Sequence, residues 1–137
     1  MNDITKIWER LYVGAKDDAE NLAKANPLGI STVVSLCDVP VAHRRPGINY
    51  LHIPIEDEQH VKVGQFDAVM DAIAENIRWG KVLVHCGVGV SRAPIMVAGY
   101  MASVGYLNVD AALAEIRKVR SISPSTILLN SVKGHLR

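Results

Sequence analysis

The chain has 137 residues, 49% of them hydrophobic, enough for one domain spanning 1–137 with a core of its own. A formal net charge of +1 excludes the global basic footprint of a nucleic-acid-binding domain. No apolar run reaches membrane-spanning length, so neither a nucleic acid nor a bilayer is expected as a partner.

Ile4 to Ile7 and Leu11 to Gly14 read as short strands joined by a turn near Trp8-Glu9-Arg10. Met1 to Lys6 lacks the apolar stretch of a signal peptide. Trp8 reads as a packing residue. Asp17 or Asp18 can cap a helix running to about Asn26, which Pro27 and Gly29 stop. Ser31 to Leu36 is a β-branched run and a central strand, closed by Cys37. The loop from Asp38 to Gly47 carries His43-Arg44-Arg45, either a solvated tip or a basic rim that attracts phosphorylated substrates. Asn49 to Ile55 alternates into another strand and delivers Glu56-Asp57-Glu58 to a loop. These adjacent carboxylates are either a solvated acidic turn or the home of a general acid.

Phe66, Val69, Met70, Ile73 and Ile77 recur at helical spacing, which predicts an amphipathic helix from about Val63 to Trp79, ended by Gly80. Lys81 to His85 is an apolar, β-branched run that suits a buried strand. Cys86 to Arg92 contains two glycines and can bend tightly with its amides pointing inward. Pro94 falls in the first turn of a helix whose Ile95 to Met101 stretch is apolar nearly all round, hence buried. Gly105 closes it. Asn108 can cap the next helix, with Val109, Ala112, Leu113, Ile116 and Val119 facing inward and Arg117, Lys118 and Arg120 as cations at its C-terminus. Ser123-Pro124-Ser125 breaks the chain, and Ser125 can cap a last helix to about His135. Lys133 to Arg137 carries no prenylation box. Two cysteines without a secretory signal point to a reducing, cytoplasmic compartment.

The strand, loop and helix around Cys86 define an anion site. Loop amides and a helix N-terminus converge on one point and favour a phosphate-sized oxyanion. The same positive field stabilises a thiolate at Cys86. Arg92 adds a full charge and a planar fork that can bind two phosphate oxygens. Gly87, Val88, Gly89, Val90, Ser91 and Arg92 form the phosphate loop of this reading, with Cys86 as nucleophile. Alternating strands and helices imply an α/β layered fold.

His85-Cys86, five residues, then Arg92 resembles the signature of the cysteine-dependent protein tyrosine phosphatases, and the whole chain is similar to their small dual-specificity branch. The resemblance implies a central mixed, mostly parallel sheet of about five strands with helices on both faces. It places the loop at the carboxyl end of a central strand. Matching residue by residue selects Asp57 as general acid and base, with Glu56 and Glu58 as rivals. It implies hydrolysis of phosphotyrosine and phosphoserine or phosphothreonine in proteins or peptides, through a phosphocysteine on Cys86. Arg92 and the loop amides would hold the equatorial oxygens, and His85 would support the loop by a hydrogen bond. No metal or cofactor is required, and a monomer is expected.

Departures from the family pattern and rival readings accompany this one. Most relatives place serine or threonine directly after the arginine, where its hydroxyl stabilises the leaving thiolate. Here Ala93 stands there, and the Arg92-Ala93-Pro94 run resembles the phosphatases of regenerating liver, a slow branch. In that branch a cysteine at the position of Cys37 lies near the nucleophile, which makes Cys37 either a buried strand-end residue or a redox partner of Cys86. Ser125 and Ser131 replace a usual asparagine and glutamine, read as divergence outside the chemistry. A low-turnover phosphopeptide-binding module is the rival from another class. A phosphatase for phosphoinositides or RNA 5′ ends is disfavoured by the uncharged loop, and a sulfurtransferase by the five-residue spacing.

Overall fold

The computed structural model describes residues 3–136. Met1, Asn2 and Arg137, which bear on the expectations about a leader and a prenylation box, lie outside the described residues. The elements in chain order are β1 (Thr5–Trp8), β2 (Leu11–Ala15), α1 (Lys16–Asn21), β3 (Ile30–Ser35), β4 (Asn49–His52), α2 (Val63–Asn76), β5 (Lys81–Cys86), α3 (Arg92–Ser103), α4 (Val109–Arg117) and α5 (Thr126–His135). Five strands form one sheet in the order β1-β2-β5-β3-β4. β1 pairs antiparallel with β2, and the other neighbours are parallel. The mixed, mostly parallel sheet expected from the resemblance is therefore present.

Strand alternation divides the apolar residues between the two faces. Leu11, Val13, Val34, Val82, Val84 and Cys86 belong to the larger core, which α2, α3, α4 and α5 cover. Tyr12, Val33 and Leu83, one residue out of phase, belong to a smaller core under α1 and Val41 of the long loop. β5 is flanked on both edges, so its run from Val82 to Cys86 is buried throughout. α3 packs against that strand and is buried from Ala93 to Met101, as an apolar helix without a polar face must be.

Several boundaries differ from the sequence reading. α1 ends at Asn21, not near Asn26, and its N-cap is Ala15 rather than an aspartate. Asp18 stands three residues further on and reaches back, its Oδ2 accepting from the Ala15 amide at 2.9 Å. The strand expected from Asn49 to Ile55 is β4 only to His52, because Pro54 has no N–H for the ladder. Ile53 and Ile55 still donate to Ser35 and Leu36, which carries the chain along β3. α2 stops at Asn76, three residues short of Trp79. Asn108 caps α4 and Ser125 caps α5, each side-chain oxygen accepting an amide of the first turn. Trp8 packs edge-on against Tyr100 and Tyr106. Among the described residues no helix is long and apolar enough to cross a membrane.

Val119 and Arg120 reverse the expected pattern. Val119 is exposed and Arg120 is buried. A turn continues past Arg117, with the Arg120 amide donating to Ile116 at 3.0 Å. Arg120 thus lies one turn beyond Ile116 on the buried face, and Val119 is rotated out.

Candidate active site

The end of β5 brings Cys86 to the floor of the loop 87–91, at the N-terminus of α3. Its side chain is 2% exposed, and its Sγ accepts from the Ala93 amide at 3.4 Å. The loop's shape follows from where its carbonyls go. His85 Nδ1 lies 3.3 Å from the Cys86 carbonyl. The Gly87 carbonyl accepts from the Lys16 amide at 3.0 Å. Val88 and Gly89 accept from Arg120 at 3.3 and 2.8 Å. Val90 accepts from the Ser123 amide at 2.7 Å, and Ser91 from Ile95 in the first turn of α3 at 3.0 Å. A trans peptide is planar, with its C=O and the following N–H pointing opposite ways. Carbonyls held on the outside therefore turn the amides of Gly87 to Arg92 toward the inside. Among the described residues, none of the amides from Gly87 to Ser91 donates to a protein group. They converge with the positive end of α3 as a nest for an oxyanion.

Arg92 begins α3 and folds back across the mouth. Its Nη1 donates to the Ile55 and Leu36 carbonyls at 3.2 and 3.4 Å. Nη2 lies over Gly87, 3.4 Å from where a Cβ would stand. Its Nε faces Asp57 Oδ1 at 4.0 Å, with the aspartate half-exposed. Among the described residues this is the ion pair of the acidic turn, and neither Glu56 nor Glu58 makes one. Glu58 adopts φ 55°, which bends the turn beyond Asp57.

His85 is fully buried beneath the loop. Burial pushes its imidazole below the ordinary value, so the ring is neutral near pH 7. A carbonyl only accepts, so Nδ1 carries the proton toward Cys86 and Nε2 accepts from Ser35 Oγ at 2.7 Å. Cys37 Sγ lies 4.0 Å from the same Nδ1. Both cysteines are free and buried, and burial pushes the Cys37 thiol up.

Ser91 Oγ accepts from the Ser125 amide at 2.9 Å, so it serves the neighbouring segment. A cleft of about 530 Å³ opens beside the loop between Asp57, Ser91, Ser125 and Ile127. The segment after α4, read from sequence as lying outside the chemistry, therefore borders the site at Ser125. Ser131 does lie apart, its Oγ accepting from the Val61 amide at 3.0 Å. The sequence reading missed Arg120 as a support of the loop. The signal was its place four residues beyond Ile116 on the apolar stripe. Among the described residues no three His, Cys, Asp or Glu side chains come together as metal ligands could. The arrangement can hold a tetrahedral oxyanion against a sulfur, with a guanidinium and a carboxyl at the opening.

A mixed, mostly parallel sheet with a cysteine-floored amide nest at the carboxyl end of its central strand is the arrangement of the cysteine-dependent protein tyrosine phosphatase superfamily. Residues 11–135 match the model of the dual specificity phosphatase catalytic domain, and the chain belongs to that family. It is 30% identical over 132 residues to human dual specificity protein phosphatase 26, covering 90% of this chain and 63% of that protein. The chain thus spans less than two thirds of the length of the curated relatives it matches. The crystal structure of DUSP15 superposes with a TM-score of 0.81 at 27% identity, over 97% of this chain and 84% of that one. A human tyrosine phosphatase-like serine/threonine/tyrosine-interacting protein has the same fold, with a TM-score of 0.82 at 21% identity over 96% and 94% of the two chains.

Proposed function

We propose that the protein is a phosphatase that hydrolyses phosphotyrosine and phosphoserine or phosphothreonine in proteins. The observation that carries this reading is the Cys86 sulfur lying beneath inward-facing amides, with Arg92 and Asp57 paired at the mouth. The Cys86 thiolate attacks phosphorus in line with the leaving oxygen. Asp57 protonates that oxygen as the P–O bond breaks. Arg92 and the loop amides hold the equatorial oxygens, where charge accumulates in the transition state. A phosphocysteine results. Asp57, now a carboxylate, takes a proton from water, which displaces the Cys86 thiolate and releases inorganic phosphate. His85 acts through the loop and moves no proton. Residues 1–137 work as one catalytic domain and as a monomer in the cytoplasm. The near-neutral charge supports a partner other than nucleic acid.

Ala93 sets the slow step. Its amide donates to the Cys86 sulfur, its side chain has no hydroxyl to stabilise the departing thiolate, and Ser91 Oγ is engaged by Ser125. Phosphocysteine breakdown therefore limits turnover, which also keeps the binding-module reading in view. Phosphate release from an aryl phosphate tests both. Rapid-quench kinetics should show a burst equal to the enzyme concentration, lost in Cys86→Ser, with a higher steady rate in Ala93→Ser. Tight phosphopeptide binding without any phosphate release would establish the module instead. Asp57→Ala should retain phosphopeptide binding and lose leaving-group protonation, so that it captures substrate.

A further inference from the structure

Among the described residues, Asp18 and Arg120 are the buried formal charges, 5% and 8% exposed. Neither belongs to the proposed chemistry. Burying a charge is costly unless hydrogen bonds replace its hydration, so each must be held by partners. Arg120 gives Nε to Gly89 O at 2.8 Å and Nη2 to Val88 O at 3.3 Å. Its Nη1 donates to Asp3 O at 2.6 Å and Thr5 Oγ1 at 2.9 Å, and Nη2 also meets the exposed Asp3 carboxylate at 3.4 Å. Asp18 accepts from the Asp3 amide through Oδ1 and from the Ala15 amide through Oδ2, both at 2.9 Å. The next amide along, that of Lys16, holds the Gly87 carbonyl. Asp3 is thus gripped at its amide by one buried charge and at its carbonyl by the other. Both grips lead to the outer side of the phosphate loop.

We propose that Arg120, linked to Asp18 through the Asp3 backbone, is the positioning residue that aims the Gly89 and Val90 amides at the bound phosphate. This rests on reading the loop as a phosphate cradle. Arg120 draws the Val88 and Gly89 carbonyls outward, and planarity then turns the next two N–H groups inward. A guanidinium on each carbonyl also polarises the same peptide and strengthens its N–H as a donor. Gly89 has φ 73°, and a Cβ there would meet the Gly14 carbonyl at 2.8 Å, so the loop is fixed between that strand end and Arg120. A lysine cannot replace the fork, because its point charge cannot grip two adjacent carbonyls and the β1 segment together.

Inorganic phosphate is the probe, with calorimetry for binding and an aryl phosphate for kcat and KM. Arg120→Lys should weaken phosphate by roughly tenfold or more, as expected for a lost charge-assisted bond. It should lower kcat about a hundredfold, with a smaller change in KM. Leu128→Ala, at a buried position of α5, should lower Tm and leave phosphate affinity as it was. If Arg120→Lys melts like Leu128→Ala yet binds phosphate as wild type does, the residue is structural only and the proposal fails. Should Arg120→Lys not fold, Thr5→Val carries the test. It removes one acceptor of the guanidinium, and a few-fold loss of phosphate affinity is expected, while no loss overturns the clamp. A wild type that neither binds phosphate nor releases it defeats the phosphatase reading instead. The clamp is then judged by amide exchange at Gly89 and Val90, which must quicken in Arg120→Lys or Thr5→Val and not in Leu128→Ala.

Discussion

Cys37 and Cys86 are both buried, and the imidazole of His85 stands next to each along the chain or in space: it follows Val84 directly before Cys86 and lies 4.0 Å from the Cys37 sulfur. On the reading of Cys37 as a redox partner, peroxide should oxidise the Cys86 thiolate to a sulfenic acid and be reduced to hydroxide. The Cys37 thiol should then attack that sulfur, forming the disulfide and releasing water. Burial holds the Cys37 thiol protonated at neutral pH, so this second step should quicken as pH rises. Peptide mapping after mild peroxide should find a Cys37–Cys86 disulfide whose rate of formation increases with pH. Irreversibly oxidised Cys86 beside untouched Cys37 is the contrary result.

At the scale of the element, the loop from Gly87 to Ser91 is shaped by what lies behind it. Each of its carbonyls from Gly87 to Ser91 has a donor supplied by α1, α3, Ser123 or Arg120. Gly89→Ala tests this tightness. A side chain at φ 73° is strained, and the new methyl would press on the Gly14 carbonyl and on Arg120. A loss of about 1–3 kcal/mol in chemical denaturation is expected, together with weaker binding of inorganic phosphate. Unchanged stability and binding would show that the loop has slack. The strand, the loop and the helix were legible from glycine placement and apolar runs. The supports were not, because the donors at Lys16, Arg120 and Ser123 lie far from the loop in sequence.

His85 couples the site to the stability of the whole molecule, since it ties β5 to β3 through Ser35. Its value is lowered in the folded protein, while the unfolded chain titrates near 6.5. Above that pH both states are neutral and this residue adds no pH dependence. As pH falls below about 6.5, the unfolded chain takes a proton that the folded one refuses. Stability should therefore fall with decreasing pH, by at most about 1.4 kcal/mol per unit, until the folded ring also protonates. Urea unfolding from pH 7.5 to 5 reads this slope, and His85→Gln should flatten it. An identical slope in that variant would assign the dependence elsewhere.

The order of strands and helices, the buried character of β5 and α3, and the joint placement of Cys86, Arg92 and Ala93 were determined by sequence, because each rests on local periodicity or fixed spacing. Caps at Asn108 and Ser125 were equally local. Matching to the resembling family already selected Asp57; only the tertiary structure set it beside Arg92, turned Val119 out and Arg120 in, and brought Asp3 between two buried charges. Those outcomes depend on which distant segments meet at the carboxyl end of the sheet. A pattern of nearest neighbours along the chain carries no record of such meetings.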